Sequence, residues 1–202
     1  MDISVIGAGG HSRSVIALLK NQSLPIDGVY DDSFEEGSNE SIAGVCLKGK
    51  ISSIKKESPI VLAIGNNTYR KELFNLYSKE IYILSIVHNK SFVDPTAKIG
   101  NSNLLFGNCF INAEVQIHEN CIINTGAIIE HESIVGNHTH ISVGAVLCGR
   151  VEIGDCVFIG ANSVVKDKVK ICDNVTIGAG STVISDITLP GTYVGSPVRK
   201  IK

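Results

Sequence analysis

From Val93 onward the chain places an apolar residue at every sixth position. The run is Val93, Ile99, Leu105, Ile111, Ile117, Ile123, Ile129, Val135, Ile141, Leu147, Ile153, Ile159, Val165, Ile171, Ile177, Val183 and Leu189, 17 hits in succession. A second column lies four residues on, at Ala97, Cys109, Ala127, Ser133, Ala145, Val157, Ser163 and Ser181, and it is small or β-branched. Such a period predicts a solenoid in which each hexad is one short strand plus a corner. Three hexads close a triangular coil with the large side chain inward, and stacked coils bury a core that no single coil can form. Glycine and asparagine supply the corner conformations. The 17 hexads predict between five and six coils over residues 91–202, with no long loop extruded. Gly195-Ser196-Pro197 then breaks the pattern, and residues 198–202 read as a short basic tail.

Residues 1–90 follow other periods. DISVI (residues 2–6) reads as a buried strand, Gly7-Ala8-Gly9-Gly10 as a tight turn, and residues 11–21 as a helix with Val15, Leu18 and Leu19 on one side. A second strand ends at Tyr30, before Asp31-Asp32. Residues 59–64 form a third strand that runs into Gly65-Asn66-Asn67, and Asn67 or Thr68 caps a helix over residues 69–79. Residues 81–87 predict a further strand. This β-α-β order implies a small parallel sheet of Rossmann-like type. The fold class is therefore mixed: a small α/β domain at residues 1–90 and a parallel β-helix at residues 91–202.

Composition narrows the function. Residues 1–88 carry 10 acids and 9 bases, and so do residues 89–202. No basic patch or asymmetry speaks for nucleic acid. No apolar run approaches the roughly 18 residues of a membrane helix, and the acidic N-terminus reads as a strand, not a secretion signal. Of the six cysteines, Cys109 and Cys121 fall where the repeat wants a small residue, and no CxxC pair exists. The reducing cytosol is the expected compartment.

The least regular stretch of the repeat is Asn124-Thr-Gly-Ala-Ile-Ile-Glu130-His131-Glu132. His131 lies two residues after the inward Ile129 and should project outward near a corner. Acyl transfer from a thioester needs a base to take the nucleophile's proton, and a histidine suits that work near neutral pH. A carboxylate on the other ring nitrogen fixes the tautomer, and Glu132 is the choice for that role. His140, nine residues on, is a candidate contact to donor or substrate, against an ordinary surface histidine. A zinc lyase built on three converging histidines fits His131, His138 and His140 poorly, so no metal is expected. Gly7-x-Gly9-x-x-Ser12 is only a partial dinucleotide fingerprint in a half too short for a full dinucleotide fold. A nucleotide-sugar diphosphate would use the same exposed amides at a helix N-terminus; a plain strand-to-helix turn is the alternative.

GAGGH before a helix, then YDD, AIGNN-xx-RK, NT-x-x-x-IEHE and H-x-SVGA, in that order over nearly the whole chain, resemble the bacterial nucleotide-aminosugar acetyltransferases of the PglD/NeuD type. The resemblance implies a left-handed β-helix, a homotrimer with active sites in clefts between neighbouring copies, and acetyl-CoA as co-substrate with no tightly bound cofactor. It makes His131 the general base and Glu132 its partner. It assigns Gly9, Gly10, His11, Asp31, Asp32, Gly65 and Asn66 to the nucleotide sugar and sets Asn124 near the reacting sugar. His140, Gly149, Ala161 and Ala179 would line the acetyl-CoA cleft, and Arg199 and Lys200 would meet the CoA 3′-phosphate unless they are simply solvated. The implied reaction acetylates the amino group of a UDP- or dTDP-linked 4-amino-4,6-dideoxy sugar. An O-acetyltransferase of the sialic-acid type and a non-catalytic trimeric scaffold are the alternatives.

Overall fold

The computed structural model describes residues 1–55 and 57–202. They divide into two compact units, Met1–Ile86 and Val87–Lys202.

In the first unit, β1 (Ile3–Ile6) leads through the glycine turn into α1 (Gly10–Asn21) and on to β2 (Ile26–Tyr30). A hairpin of β3 (Ser41–Ile42) and β4 (Val45–Gly49) follows, then β5 (Ile60–Leu62) and α2 (Asn67–Tyr77). The sheet order is β3-β4-β2-β1-β5, and only β3 runs antiparallel to its neighbour. β1 thus sits between β2 and β5, at the point where the crossovers diverge. In open α/β sheets that point opens a crevice at the carboxyl ends of the strands. Ile6, Ile60, Leu62 and Leu73 form a core with Tyr30, Ile81 and Ile83.

Three details differ from the sequence reading. The cap of α2 is Asn66, whose side chain accepts from the Tyr69 N–H at 2.9 Å, so the helix starts two residues early. Residues 81–87 are not one strand. Ile83 makes a single bridge to Ile60, exposed Tyr82 interrupts, and only Ile86–Val87 is extended into a sheet. The β3–β4 hairpin carried no clear sequence signal.

The second unit is a parallel β-solenoid with three faces, each built of strands whose partners lie 18 residues apart. The first face runs from Phe92–Val93 through Phe110–Ile111, Ile128–Ile129, Val146–Leu147 and Val164–Val165 to Thr182–Val183. The second runs from Lys98–Ile99 to Lys170–Ile171, and the third carries Leu104–Leu105, Ile122–Ile123, His140–Ile141 and Phe158–Ile159. The predicted apolar column is the core: Leu105, Ile111, Ile129, Ile141, Leu147, Ile159 and Ile177 are fully buried. Each contributes about 1.5–3 kcal/mol relative to an exposed side chain. The small column is also inward, and its serines are satisfied by neighbouring coils. Ser133 Oγ donates to the Cys148 carbonyl at 3.0 Å and accepts from the Val151 N–H at 3.2 Å.

A third six-residue column escaped the sequence reading. Every sixth residue from Ser102 to Gly180 has φ near +60°, in the left-handed region. Besides glycine and asparagine it holds Ser102, Glu114, Glu132, His138, Arg150, Cys156 and Lys168. Composition hides it because backbone geometry, not side-chain type, defines it.

The repeat departs from its period at the end. Ile187, not Leu189, enters the core: Ile187 bridges Ile171 and is 6% exposed, whereas Leu189 is 61% exposed. The last coil is two residues short. The presumed tail is also structured, because Arg199–Lys200 pairs antiparallel with Gly191–Val194 and closes the third face.

Candidate functional site

The candidate residues fall into two groups, one in each unit. In the first unit, β1, β2 and β5 end together, and the N-termini of α1 and α2 follow directly. Gly7, at φ +108°, turns the chain, and a Cβ there would sit 2.6 Å from Ile64 Cδ1. A Cβ built on Gly9 or Gly10 would meet nothing within 4 Å, so the turn faces open space. Ser12, at the third fingerprint position, is buried and donates its hydroxyl to the Gly9 carbonyl at 2.5 Å. A third glycine is unnecessary because this bond closes the turn.

Asp31 brackets the turn. Its Oδ2 accepts the Ala8 N–H at 2.8 Å, and its Oδ1 accepts from Ser33 N and Oγ. Burial alone would raise its pKa; the bonds from Ser33 and Ala8 outweigh it and hold the carboxyl below its ordinary value. Asp32 Oδ1 accepts the Ile51 N–H at 3.2 Å. Both aspartates therefore shape the mouth of the crevice as well as facing it. His11 lies against Gly65, whose Cβ would stand 3.8 Å from His11 Cβ. Burial, and then the charge of Arg70, lower its pKa to about 4, so it is neutral at physiological pH. Two neighbours were not singled out from sequence. Tyr69 has its phenol pKa raised by burial and then by the charges of Asp32 and Asp31. Arg70 is 1% exposed and reaches under the Gly65 loop.

In the solenoid, His131 and Glu132 occupy the edge between the first and second faces. The two side chains meet at 2.9 Å, His131 Nδ1 to Glu132 Oε2, and each is about half exposed. A carboxylate only accepts, so Nδ1 carries the proton and Nε2 presents its lone pair in the neutral ring. The left-handed φ of 60° at Glu132 belongs to the corner that sets these adjacent side chains together. Glu130 is engaged elsewhere, taking a 2.5 Å bond from Asn112 Nδ2. One coil on, Gly149 makes room for the ring: a Cβ there would lie 2.7 Å from both Cε1 and Nε2 of His131. Among the described residues the Gly149 N–H meets no acceptor. Arg150 and Asp167 pair at 3.0 Å beside it.

The other solenoid residues do not join His131 within one chain. Asn124, Ala161 and Ala179 mark the edge between the third and first faces, across the whole width of the first face. His140 is not a surface histidine. It is 6% exposed on the third face, with Nε2 accepting from Asn124 Nδ2 at 3.2 Å and its ring edge-on to Phe158. Among the described residues, no three His, Cys, Asp or Glu side chains converge as a metal site, and no helix is long and apolar enough to cross a membrane.

Comparison with known proteins places this geometry. The PglD N-terminal domain family matches residues 2–77, and the bacterial transferase hexapeptide family (six repeats) matches residues 150–185. An uncharacterized protein of Acanthamoeba polyphaga mimivirus is 31% identical over 117 residues, covering 57% of this chain but only 23% of that relative. Among solved structures, the acetyltransferase domain of PglB from Neisseria gonorrhoeae superposes with a TM-score of 0.91 at 25% identity over 99% of both chains. PerB from Caulobacter crescentus, solved with CoA and GDP-perosamine, superposes with a TM-score of 0.91 at 25% identity, over 100% of this chain and 98% of that one. WeeI from Acinetobacter baumannii shares the fold at a TM-score of 0.70 and 22% identity, with both chains covered in full.

Proposed function

We propose that the chain is a PglD-type sugar acetyltransferase of the hexapeptide-repeat class, one that acetylates the amino group of a nucleotide-linked 4-amino-4,6-dideoxy sugar with acetyl-CoA as donor. The observation that carries the reading is the His131–Glu132 pair, with Nε2 of His131 open at the solenoid edge above Gly149. The 4-amino nitrogen attacks the thioester carbonyl, and Nε2 takes the proton that nitrogen loses. The Gly149 N–H stabilises the oxyanion. The tetrahedral intermediate expels the CoA thiolate, which takes the proton back from the imidazolium, leaving an amide and free CoA. Glu132 stabilises the imidazolium between these steps. The nucleotide sits at the crevice of the first unit, where Gly9, Gly10 and the α1 N-terminus offer amides to a diphosphate. UDP and dTDP are the nucleotides favoured by the resemblance, and GDP is added by the PerB complex.

The working unit is a homotrimer. The outward column of the first face is apolar from Phe92 through Phe110, Ile128 and Val146 to Val164 and ends on Thr182, with the two phenylalanine rings stacked at 4.8 Å. Phe92, Phe110 and Val164 are 47%, 37% and 37% exposed in the single chain, whereas the second face displays Lys98, Gln116, Glu152 and Lys170 around a single apolar residue, Ile134. Three copies turning the first face toward a common axis bury this column. The same arrangement sets the His131 edge of one copy beside the Asn124–Ala161–Ala179 edge of the next, so base and acetyl-CoA cleft meet between chains.

The test is a mass-spectrometric screen of UDP-, dTDP- and GDP-linked 4-amino sugars with acetyl-CoA. A product that gains one acetyl group and survives mild base is an amide, whereas an ester points to O-acetylation. His131→Ala should lose turnover while still binding acetyl-CoA; a wild-type rate in that variant sinks the assignment of the base.

A further inference from the structure

The solenoid edge that carries His131 changes sign along its length. Its left-handed corner residues are Glu114, Glu132, Arg150 and Lys168. Backbone bonds stack them: the N–H groups of Glu132, Arg150 and Lys168 donate to the carbonyls of Ala113, His131 and Gly149 at 2.9, 2.9 and 3.0 Å. Each corner therefore follows the last by one coil, about 4.8 Å along the axis. From His131 toward the N-terminal end, the edge holds Asp94, Glu114, Glu130 and Glu132 and no lysine or arginine. The two coils beyond His131 hold Arg150, Lys166, Asp167 and Lys168. Arg150 and Asp167 are paired with each other at 3.0 Å. Lys166 and Lys168 are exposed, and among the described residues neither makes an ion pair. Asp186, one coil further, is turned to the second face, where its Oδ1 accepts the Lys170 N–H at 2.9 Å.

Two amines on one corner make a positive potential that draws a polyanion, while the acids on the other side of His131 repel it. Acetyl-CoA is a polyanion with its charge at one end: the thioester and pantetheine arm are neutral, and the diphosphate and 3′-phosphate are not. Its thioester has to reach His131. Lys166 and Lys168 stand two coils beyond that ring, roughly 10 Å along the axis, and their long side chains extend the reach. The coil that ends at Lys166 passes through Ala161 on the opposite edge, and the coil that ends at His131 passes through Asn124. Side by side in the trimer, neighbouring edges thus meet level with one another, Asn124 with His131 and Ala161 with Lys166.

We propose that Lys166 and Lys168 bind the diphosphate of the acyl-CoA donor, and that the change of sign along this edge fixes the donor's direction, with phosphates toward the C-terminal end and the thioester at His131. This rests on the reading of the edge as the acetyltransferase site. The lysines do not touch the reacting atoms; they select a phosphate-bearing thioester over a neutral one. The contact is solvent-facing, so salt screens it, and the preference for acetyl-CoA should shrink as ionic strength rises.

The test titrates the full chain calorimetrically with acetyl-CoA, its 3′-dephospho form and acetyl-pantetheine, at low and high salt, so no acceptor sugar is needed. The double variant Lys166→Gln/Lys168→Gln should bind acetyl-CoA about 10-fold more weakly at low salt, and the difference should fade at high salt. The same loss should appear with the 3′-dephospho form and be absent with acetyl-pantetheine. Lys166→Arg/Lys168→Arg keeps both charges and should bind within about 3-fold of wild type. Glu114→Lys puts a cation on the other side of His131 and should change affinity by less than about 2-fold. Wild-type affinity in the double glutamine variant overturns the proposal. So does an equal loss with acetyl-pantetheine, which would mean that charge is not the cause, or a loss confined to donors with the 3′-phosphate. Tighter binding in Glu114→Lys overturns the proposed direction. If wild type binds no acetyl-CoA, the acetyltransferase reading itself fails and the proposal falls with it; if wild type binds it and the double glutamine variant binds it equally, the proposal alone fails.

Discussion

Gly149→Ala is the sharpest perturbation available at the solenoid edge. Gly149 needs no positive φ, so alanine fits its backbone, and the substitution should leave the coil intact. The added methyl would stand 2.7 Å from Cε1 and Nε2 of His131 and 3.2 Å from Asp167 Oδ1. Carbon contacts prefer about 3.5–4.0 Å, so the ring must withdraw by about 0.8 Å or more. His131 is half exposed and free to swing, so the strain is relieved by moving the ring, and the 2.9 Å bond to Glu132 is lost with it. A misplacement near 1 Å costs on the order of 100-fold in rate. Loss of the proton acceptor altogether costs about 10²- to 10⁴-fold.

The expected outcome is a fall in kcat of about 100-fold, with acetyl-CoA affinity nearly unchanged and a melting temperature within a few degrees of wild type. Release of the CoA thiol, followed with a thiol-reactive chromophore, measures the rate. The double variant Gly149→Ala/His131→Ala should be no slower than His131→Ala, because both remove the same contact. A single Gly149→Ala variant at full rate would refute the placement of the catalytic ring over this glycine.

Glu132→Gln should lower kcat by about 10-fold, less than in a buried triad because the pair is half exposed; initial rates at saturating substrates measure it. Phe110→Glu puts a charge beside Phe92 on the apolar face and should give monomers in sedimentation velocity together with loss of activity; an active monomer contradicts the inter-chain site. His11 has its pKa lowered to about 4, so the folded chain resists a proton that the unfolded chain binds near 6.5. Its contribution to stability is complete above about pH 6.5 and is lost as pH falls toward 4. The urea midpoint should drop between pH 7 and pH 5 in wild type and drop less in His11→Asn. Gly7→Ala, at φ +108° against Ile64, should cost about 1–3 kcal/mol in urea unfolding.

What could be read in the sequence divides along physical lines. Burial repeats, so the inward columns are visible as a period, and Ile129, Ile141 and Ile159 lie where it puts them. Chain geometry without a compositional mark is not visible: the left-handed column holds glutamate, arginine and cysteine as readily as glycine. Leu189 fits the period yet stays exposed, because Ile187 reaches the core first after a shortened coil. His131 and Glu132 were legible as a bonded pair because neighbours on a corner are close whatever the fold. The burial of His140 was not, since an outward position on a strand says nothing about what covers it. Arg70 stood in a recognisable motif, but only the loop above it explains a buried cation. The clearance that Gly149 leaves for the His131 ring was not legible, because it depends on the coil-to-coil stacking.

That stacking suggests how a regular solenoid accommodates function. Each corner residue lies over the residue 18 positions on, so a glycine in a neighbouring coil makes room for a large side chain against the edge. Gly149 does this for His131. On the edge between the second and third faces, a Cβ at Gly136 would lie 2.5 Å from the Gly154 backbone carbon and 2.6 Å from Asp155 Oδ1, so that glycine makes room for the backbone of the next coil as well as for a polar side chain. There the result is structural: Asp155 Oδ1 accepts the Asn137 N–H at 2.7 Å and ties two coils together. At His131 the ring has one nitrogen tied to Glu132, and the other is left open beside an amide with no acceptor. Such a vacancy serves a staple where the incoming carboxylate takes bonds from both the N–H and the side chain of Asn137, and, under the proposed mechanism, a proton acceptor where the ring meets a carboxylate at its far side. Filling the vacancy should therefore have opposite signatures at the two glycines: Gly136→Ala should lower the melting temperature with activity per folded molecule preserved, whereas Gly149→Ala should lower activity with the melting temperature preserved.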